Sequence, residues 1–479
     1  MDAKAYQRFR EYLMYILKPS RFEIAILMLA AACTIPLFSQ QLPGVPVPTP
    51  DPQIAAALRD VSAANIERTI TKLVSFGTRS TLSSDMPASS GKGTTAAAEW
   101  IKSELERYSR ECGGCLEVKA DEFIQEPGPR IPKPTKITNV YAILHGTDPA
   151  NAGRIVLVSG HYDSRNSDNN DAIAPAPGAN DDGSGTAVSL ECARVLSKHH
   201  FLATIIFLTV AGEEQGLNGS AHFAKMAKAQ GWNIEAVLSN DIVGGDRTPG
   251  DTNQDPHVVR VFSEGIPATA DEKQLKTIRA LGGENDGVSR QLARYIASVA
   301  QEYFSPAAFH PLVVSRRDRY LRGGDHFSFN EQGYAAVRLT EYRENYNHQH
   351  QNVRTENGIE YGDLPKFVNY DYTANVARLN AATLASLASA PAPPANVRLL
   401  TKELQNDSTL VWEPSPGGLA TAYEVLWRDT TASDWQHVQA VDNVTKATVP
   451  VSKDNVVFAV RALDAKGHRS LSIVPVPER

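Results

Sequence analysis

Five short segments of this 479-residue chain carry acids and imidazoles at positions from which they could act together. The apolar stretch 155–159 ends in Gly160-His161-Tyr162-Asp163. A glycine-rich run contains Asp181-Asp182-Gly183-Ser184-Gly185, 204–210 ends in Ala211-Gly212-Glu213-Glu214, and 236–239 ends in Asn240-Asp241. Gly323-Gly324-Asp325-His326 is the fifth. Taken singly, a histidine after a strand is usually an ordinary residue and paired acids are usually a solvated turn. Their convergence is what points to chemistry. Carboxylate and imidazole suit zinc, and two zinc ions sharing one carboxylate need five protein ligands of this kind. Three carboxylates offset three of the four positive charges on two zinc ions, and a bound hydroxide would neutralise the last.

The elements that must position these side chains follow from periodicity. Residues 139–144, 155–159, 204–210 and 236–239 read as buried strands. Between and before them, 64–76, 94–108, 186–199 and 220–230 carry apolar residues at helical spacing, as in Val188, Cys192, Val195 and Leu196. This alternation predicts an α/β domain over 54–389, with a largely parallel central mixed sheet flanked by helices and functional groups at its strand ends. The proline-rich 390–395 marks a linker. Beyond it, short strands separated by turn residues predict a small all-β sandwich over 396–479, with Trp412 and Trp427 in its core.

The five segments closely resemble those of the co-catalytic zinc exopeptidases, a family that includes bacterial secreted leucyl aminopeptidases, glutamate carboxypeptidases and, more distantly, glutaminyl cyclases and transferrin receptors. The resemblance spans 54–388. It implies that His161 and Asp241 hold one zinc, Glu214 and His326 the other, and that Asp181 bridges them. It also implies Glu213 as general base and a cis peptide between Asp181 and Asp182. Tyr346 lies where related enzymes carry a tyrosine that stabilises the oxyanion, but Asn347 stands where a histidine usually follows, so His348 and His350 receive no role. Gly77-Thr78-Arg79-Ser80 matches a structural feature of the family. The last ninety or so residues resemble a fibronectin type III module through Trp412, Tyr423-Glu424-Val425-Leu426-Trp427, Phe458-Ala459-Val460-Arg461-Ala462 and Asp464-Ala465-Lys466-Gly467, with Phe458 where that family usually has tyrosine.

Physical chemistry supports the division of labour between the adjacent acids. Consecutive side chains cannot both aim at one metal. A liganding Glu214 stays ionised, whereas Glu213 is free to take a proton from the attacking water and pass it to the leaving amine. Asp163, two residues past His161, is suited to receive the other imidazole proton and fix the ring. The expectation is an enzyme that binds two Zn2+ ions and hydrolyses N-terminal peptide bonds of peptides or proteins. A carboxypeptidase or dipeptidase on the same frame, or an inactive binding protein like a transferrin receptor, are the alternatives.

Composition sets outer bounds. With 42% apolar and 21% charged residues the chain reads as a soluble globular protein. A net charge of -6 provides no general attraction for phosphate backbones, so nucleic acid is not an expected partner. The basic cluster Arg316, Arg317, Arg319 and Arg322 is read as a solvated loop. Basic residues Lys4 to Arg21 ahead of the apolar 24–38 form the order of an export signal or membrane anchor over 1–40, too short for an ordinary span. Leu29-Ala30-Ala31-Ala32-Cys33 resembles a bacterial lipoprotein processing site, and 41–53 reads as a proline-rich tether. The expected location is exported: periplasmic, attached to the envelope, or secreted. Cys112 and Cys115 are expected to form a local disulfide and Cys192 a buried thiol. The C-terminal module is expected to attach the protein to polymer or partner surfaces.

Overall fold

A strand buried on both faces needs no polar alternation, and the apolar runs of this chain form the centre of a sheet for that reason. In a computed structural model, which describes residues 46–478, eight strands run in the order β1-β2-β4-β3-β5-β8-β6-β7. They are β1 (Leu116–Gln125), β2 (Thr135–Leu144), β3 (Arg154–His161), β4 (Thr204–Val210), β5 (Asn233–Asn240), β6 (Val258–Ser263), β7 (His310–Val314) and β8 (Ala336–Glu341). The run β4-β3-β5-β8 is parallel, as expected. Both flanks join it antiparallel, through β2 on one side and β6 on the other. The expected leader over 1–40, with Cys33, lies outside the described residues, as does the start of the tether.

The period of two sorts the residues of β3 to opposite faces. Val156 and Val158 enter one core with α2 (Ala63–Val74), α3 (Gly93–Glu111), α4 (Gly183–Leu196), α7 (Val288–Tyr303) and α9 (Tyr370–Ser389). Ile155 and Leu157 enter the other, beside Phe223 and Ala227 of α5 (Asn218–Ala229) and Phe329 of α8 (His326–Asn330). Burial of each such side chain contributes on the order of 1.5–3 kcal/mol. Cys192 is buried, and Cys112 and Cys115 are bridged. Among the described residues no helix is long and apolar enough to cross a membrane.

Regular structure begins within the expected tether. The Asp51 side chain accepts from the Gln53 and Ile54 amides, and with Pro52 it starts α1 (Pro52–Arg59), whose Ile54, Ala57 and Leu58 are buried. After α6 (Glu272–Leu281), α7 and α9, the chain enters two small sheets, one of four strands and one of three. Trp412, Tyr423, Val425 and Phe458 pack between them. Trp427 is only partly buried and stacks on His437, so it sits at the edge of that core.

The expected linker 390–395 packs against both of its neighbours. Ala390 and Ala392 are buried, the Arg154 Nη1 donates to the Ala390 carbonyl at 2.7 Å, and the Ser415 Oγ donates to the Ala392 carbonyl at 2.6 Å. Alanine and proline here have no polar side chain to desolvate, so burial costs little once those carbonyls have donors.

Candidate metal centre

β4, β3 and β5 lie side by side, so their ends deliver Glu214, His161 and Asp241 to one edge of the sheet. One carboxylate ties the three loops together. Asp182 caps α4 by accepting from the Gly185 amide at 2.8 Å, and it also accepts from the amides of His161 at 3.0 Å and Ile242 at 3.2 Å. The peptide between Asp181 and Asp182 is cis, as the family resemblance implies. Asp363 accepts from the amides of Asn180 at 2.8 Å and Asp181 at 2.7 Å, which pins the same turn from the other side.

Arg79 supplies the floor. Its buried guanidinium donates to the carbonyls of Tyr162 at 2.6 Å, Pro177 at 2.6 Å and Gly178 at 2.7 Å. Burial lowers its pKa to about 10, against the pull of Asp363, Asp163, Asp182 and Asp181, and it stays charged at neutral pH. Gly178 has φ +51, and a Cβ there would fall 2.5 Å from that of Ser164 and 2.6 Å from the Asp181 carbonyl oxygen, so no larger residue fits.

Two donor groups result, each with its ligating atoms within 4.8 Å of one another: His161, Asp181 and Asp241, and Asp181, Glu214 and His350. The His161 Nε2 lies 3.3 Å from the Asp181 Oδ1 and 3.8 Å from the Asp241 Oδ1. The His350 Nε2 lies 2.8 Å from the Asp181 Oδ2 and 3.2 Å from the Glu214 Oε2. Such separations match a cation about 2.0–2.2 Å from each donor. The buried His161 Nε2 and Glu214 Oε1 have no hydrogen-bond partner in the chain, as atoms facing a cation would not. The residues present therefore fit a pair of zinc ions.

Asp163 lies behind His161 rather than in the cleft. Its carbonyl and Oδ1 stand 3.2 Å and 3.4 Å from the His161 Nδ1, while its Oδ2 accepts from the Thr81 Oγ1 at 2.7 Å. This geometry makes it a positioning residue for the ring. Glu213 lines the cleft beside Glu214, and burial pushes its pKa well up, with the charges of Asp241 and Glu214 adding to the effect against His161.

His326 corrects the sequence reading. It opens α8 fully buried, with its Nε2 2.8 Å from the Arg317 carbonyl oxygen, and belongs to neither donor group. Arg338 stands beside Asp241, at 3.0 Å from its Oδ1, and also contacts Asp318 and the Gly323 carbonyl. His350, to which the sequence assigned nothing, supplies the imidazole of the second donor group. Its loop is held by the Asp246 Oδ2, 2.5 Å from the His348 Nδ1, and by stacking of His348 on Phe367. The Gln349 Nε2 donates to the Asp181 Oδ2 at 3.1 Å. Two histidines within four residues of Tyr346 were the available signal.

Tyr346 stands 63% exposed on the wall of a cleft of ≈ 720 Å³ that Asp181, Glu213, Glu214, Asp241 and His350 also line. The basic cluster is not a solvated loop throughout. Arg319 and Arg322 line the same cleft and donate to the buried Glu344 at 2.7 Å and 2.9 Å.

Residues 139–365 match the sequence profile described as peptidase family M28. A "Probable zinc metalloprotease" of Pyrenophora teres f. teres is 46% identical over 436 residues, covering 90% of this chain and 88% of that protein. Another of that description from Pyricularia oryzae is 46% identical over 435 residues, covering 89% and 85%. These relatives are fungal, whereas the motifs had resembled bacterial secreted enzymes. The fold is similar to that of LapA from Legionella pneumophila, with a TM-score of 0.51 and 25% identity over 70% of this chain and 76% of that one.

Proposed function

The chain belongs to peptidase family M28 and is a zinc-dependent peptidase, and from that premise we propose that it is an aminopeptidase that hydrolyses N-terminal peptide bonds with two zinc ions. The observation that carries this reading is Asp181, whose two carboxylate oxygens each face a separate donor group. His161 and Asp241 would hold one ion, Glu214 and His350 the other, with Asp181 shared. When bound, such ions polarise the scissile carbonyl and activate water.

The chain's own groups do the rest. Glu213 accepts the proton of the attacking water on its carboxylate and returns it to the departing amine. Asp163 holds the His161 ring through Nδ1, so that Nε2 faces inward. The Tyr346 hydroxyl, at the cleft wall, supplies a donor to the developing oxyanion. The retained base and donor set favour an enzyme over an inactive binding protein. In this proposal the chain is exported through its leader, and the C-terminal sandwich is a fibronectin type III-like module that attaches it to a polymer or protein surface.

Purified protein is expected to release the chromophore from amino-acid arylamides, to lose this activity with a chelator and to regain it with zinc. Equal cleavage of N-blocked arylamides would remove the aminopeptidase reading, because the reaction would then need no free amine.

A further inference from the structure

The charged lining of the cleft divides by sign. Its acids are Asp181, Glu213, Glu214 and Asp241, all committed to the centre, whereas its remaining charged residues, His350 apart, are Arg130, Arg165, Arg319, Arg322 and Arg338. Among the described residues the cleft wall thus offers no acid to answer these guanidiniums outside the four that serve the metals and the proton transfer.

The arginines are only partly satisfied. The buried Nε of Arg165 has no hydrogen-bond partner, and its nearest carboxylate is the Glu214 Oε2 at 3.6 Å. Arg130 donates its Nη1 to the Glu214 carbonyl at 3.0 Å. Beyond Tyr346, Arg260, Arg319 and Arg322 crowd one carboxylate, Glu344, at 3.2 Å, 2.7 Å and 2.9 Å. Arg319 and Arg338 share Asp318. Four guanidiniums therefore divide two carboxylates, apart from Asp241. Arg322 remains 34% exposed, with its guanidinium 5.9 Å from the Tyr346 ring centroid. Bound zinc would add to this excess. A planar guanidinium with free N–H groups is matched best by a carboxylate, which accepts two parallel hydrogen bonds.

We propose that the cleft selects substrates bearing a carboxylate close to the scissile bond, with Arg165 and Arg322 as the groups that receive it. The inference rests on the aminopeptidase reading of the centre. The carboxylate has two possible sources, the side chain of an acidic N-terminal residue or the free α-carboxylate of a dipeptide.

Two isosteric pairs distinguish them: glutamyl against glutaminyl arylamide, and leucyl-alanine against leucyl-alaninamide. With the zinc-loaded full chain, the acidic member of at least one pair should show a kcat/KM about tenfold or more above its neutral partner. Arg165→Gln and Arg322→Gln should each reduce that ratio by about tenfold, and Arg165→Lys should restore part of it. Calorimetric binding of the same four compounds to chelator-stripped protein, which does not turn them over, should show the same preference and the same loss in the variants. Ratios at or below one in both pairs, with arylamides hydrolysed, would overturn the carboxylate preference and leave the aminopeptidase reading standing. Failure to hydrolyse any of the four would count against the aminopeptidase, and the stripped-protein binding would still decide the preference. Equal losses on acidic and neutral partners would reduce Arg165 and Arg322 to structural supports.

Discussion

The Arg428 guanidinium of the C-terminal sandwich sets its Nη2 2.7 Å and 2.8 Å from the two carboxylate oxygens of Asp286 in the peptidase domain. Arg294 adds a third contact at 3.2 Å, and all three side chains are buried. Two guanidiniums on one carboxylate join the peptidase domain to the sandwich.

Asp286→Ala is accordingly expected to destabilise the whole chain by about 3–5 kcal/mol, because it leaves two buried cations uncompensated. Urea unfolding of wild type and variant measures this. A difference below about 0.5 kcal/mol would mean that the triad does not couple the domains.

The two candidate histidines are separable by metal content. His350→Ala should lower the bound zinc from two per chain toward one, while His326→Ala should leave the stoichiometry near two, since its ring faces the Arg317 carbonyl. Elemental analysis of dialysed protein decides, and the reverse pattern would restore the reading made from sequence.

Glu213→Gln should retain zinc yet lose turnover by about 100-fold to 10,000-fold, the range typical of a positioned general base. Arylamide kinetics at matched metal content provide the check. Near-normal turnover would remove Glu213 from the proton transfer.

A pH-sensitive contact fastens the first helix to the sandwich. The His468 Nε2 lies 3.0 Å from the Asp51 Oδ2 and its Nδ1 2.8 Å from the Asp464 Oδ2, with Glu302 and Arg469 facing the same group. Burial opposes the imidazolium, but Asp464 and Asp51 outweigh it and hold the His468 pKa above 6.5. Burial likewise opposes ionisation of Asp51 and Asp464, yet their hydrogen bonds hold both below 3.8. A raised histidine stabilises below its unfolded pKa and loses that contribution as pH rises through the folded value. The lowered acids stabilise above their unfolded pKa and lose it as pH falls through their depressed values. Wild type should therefore melt above His468→Gln at about pH 5.5, with the gap narrowing toward about pH 9. A gap that widens with pH would sink the account.

Much of the centre was legible because strand ends are local features. Each apolar run declares its own strand, and the recurrence of His161, Glu213-Glu214 and Asp241 at the ends of three such runs, with the glycines around Asp181, is what pointed to donors. The central parallel strands were legible for the same reason, since two buried faces demand continuous apolar residues. The choice between His326 and His350 was not. Both follow glycine-rich or polar loops, and which ring reaches Asp181 depends on the path of each loop, set by the Asp246–His348 contact and by Arg338 beside Asp241, partners some hundred residues apart in the chain. The packed linker and the shared Asp286 belong to the same class. Long-range ion pairs leave no periodicity in a sequence, so only the folded chain reveals them.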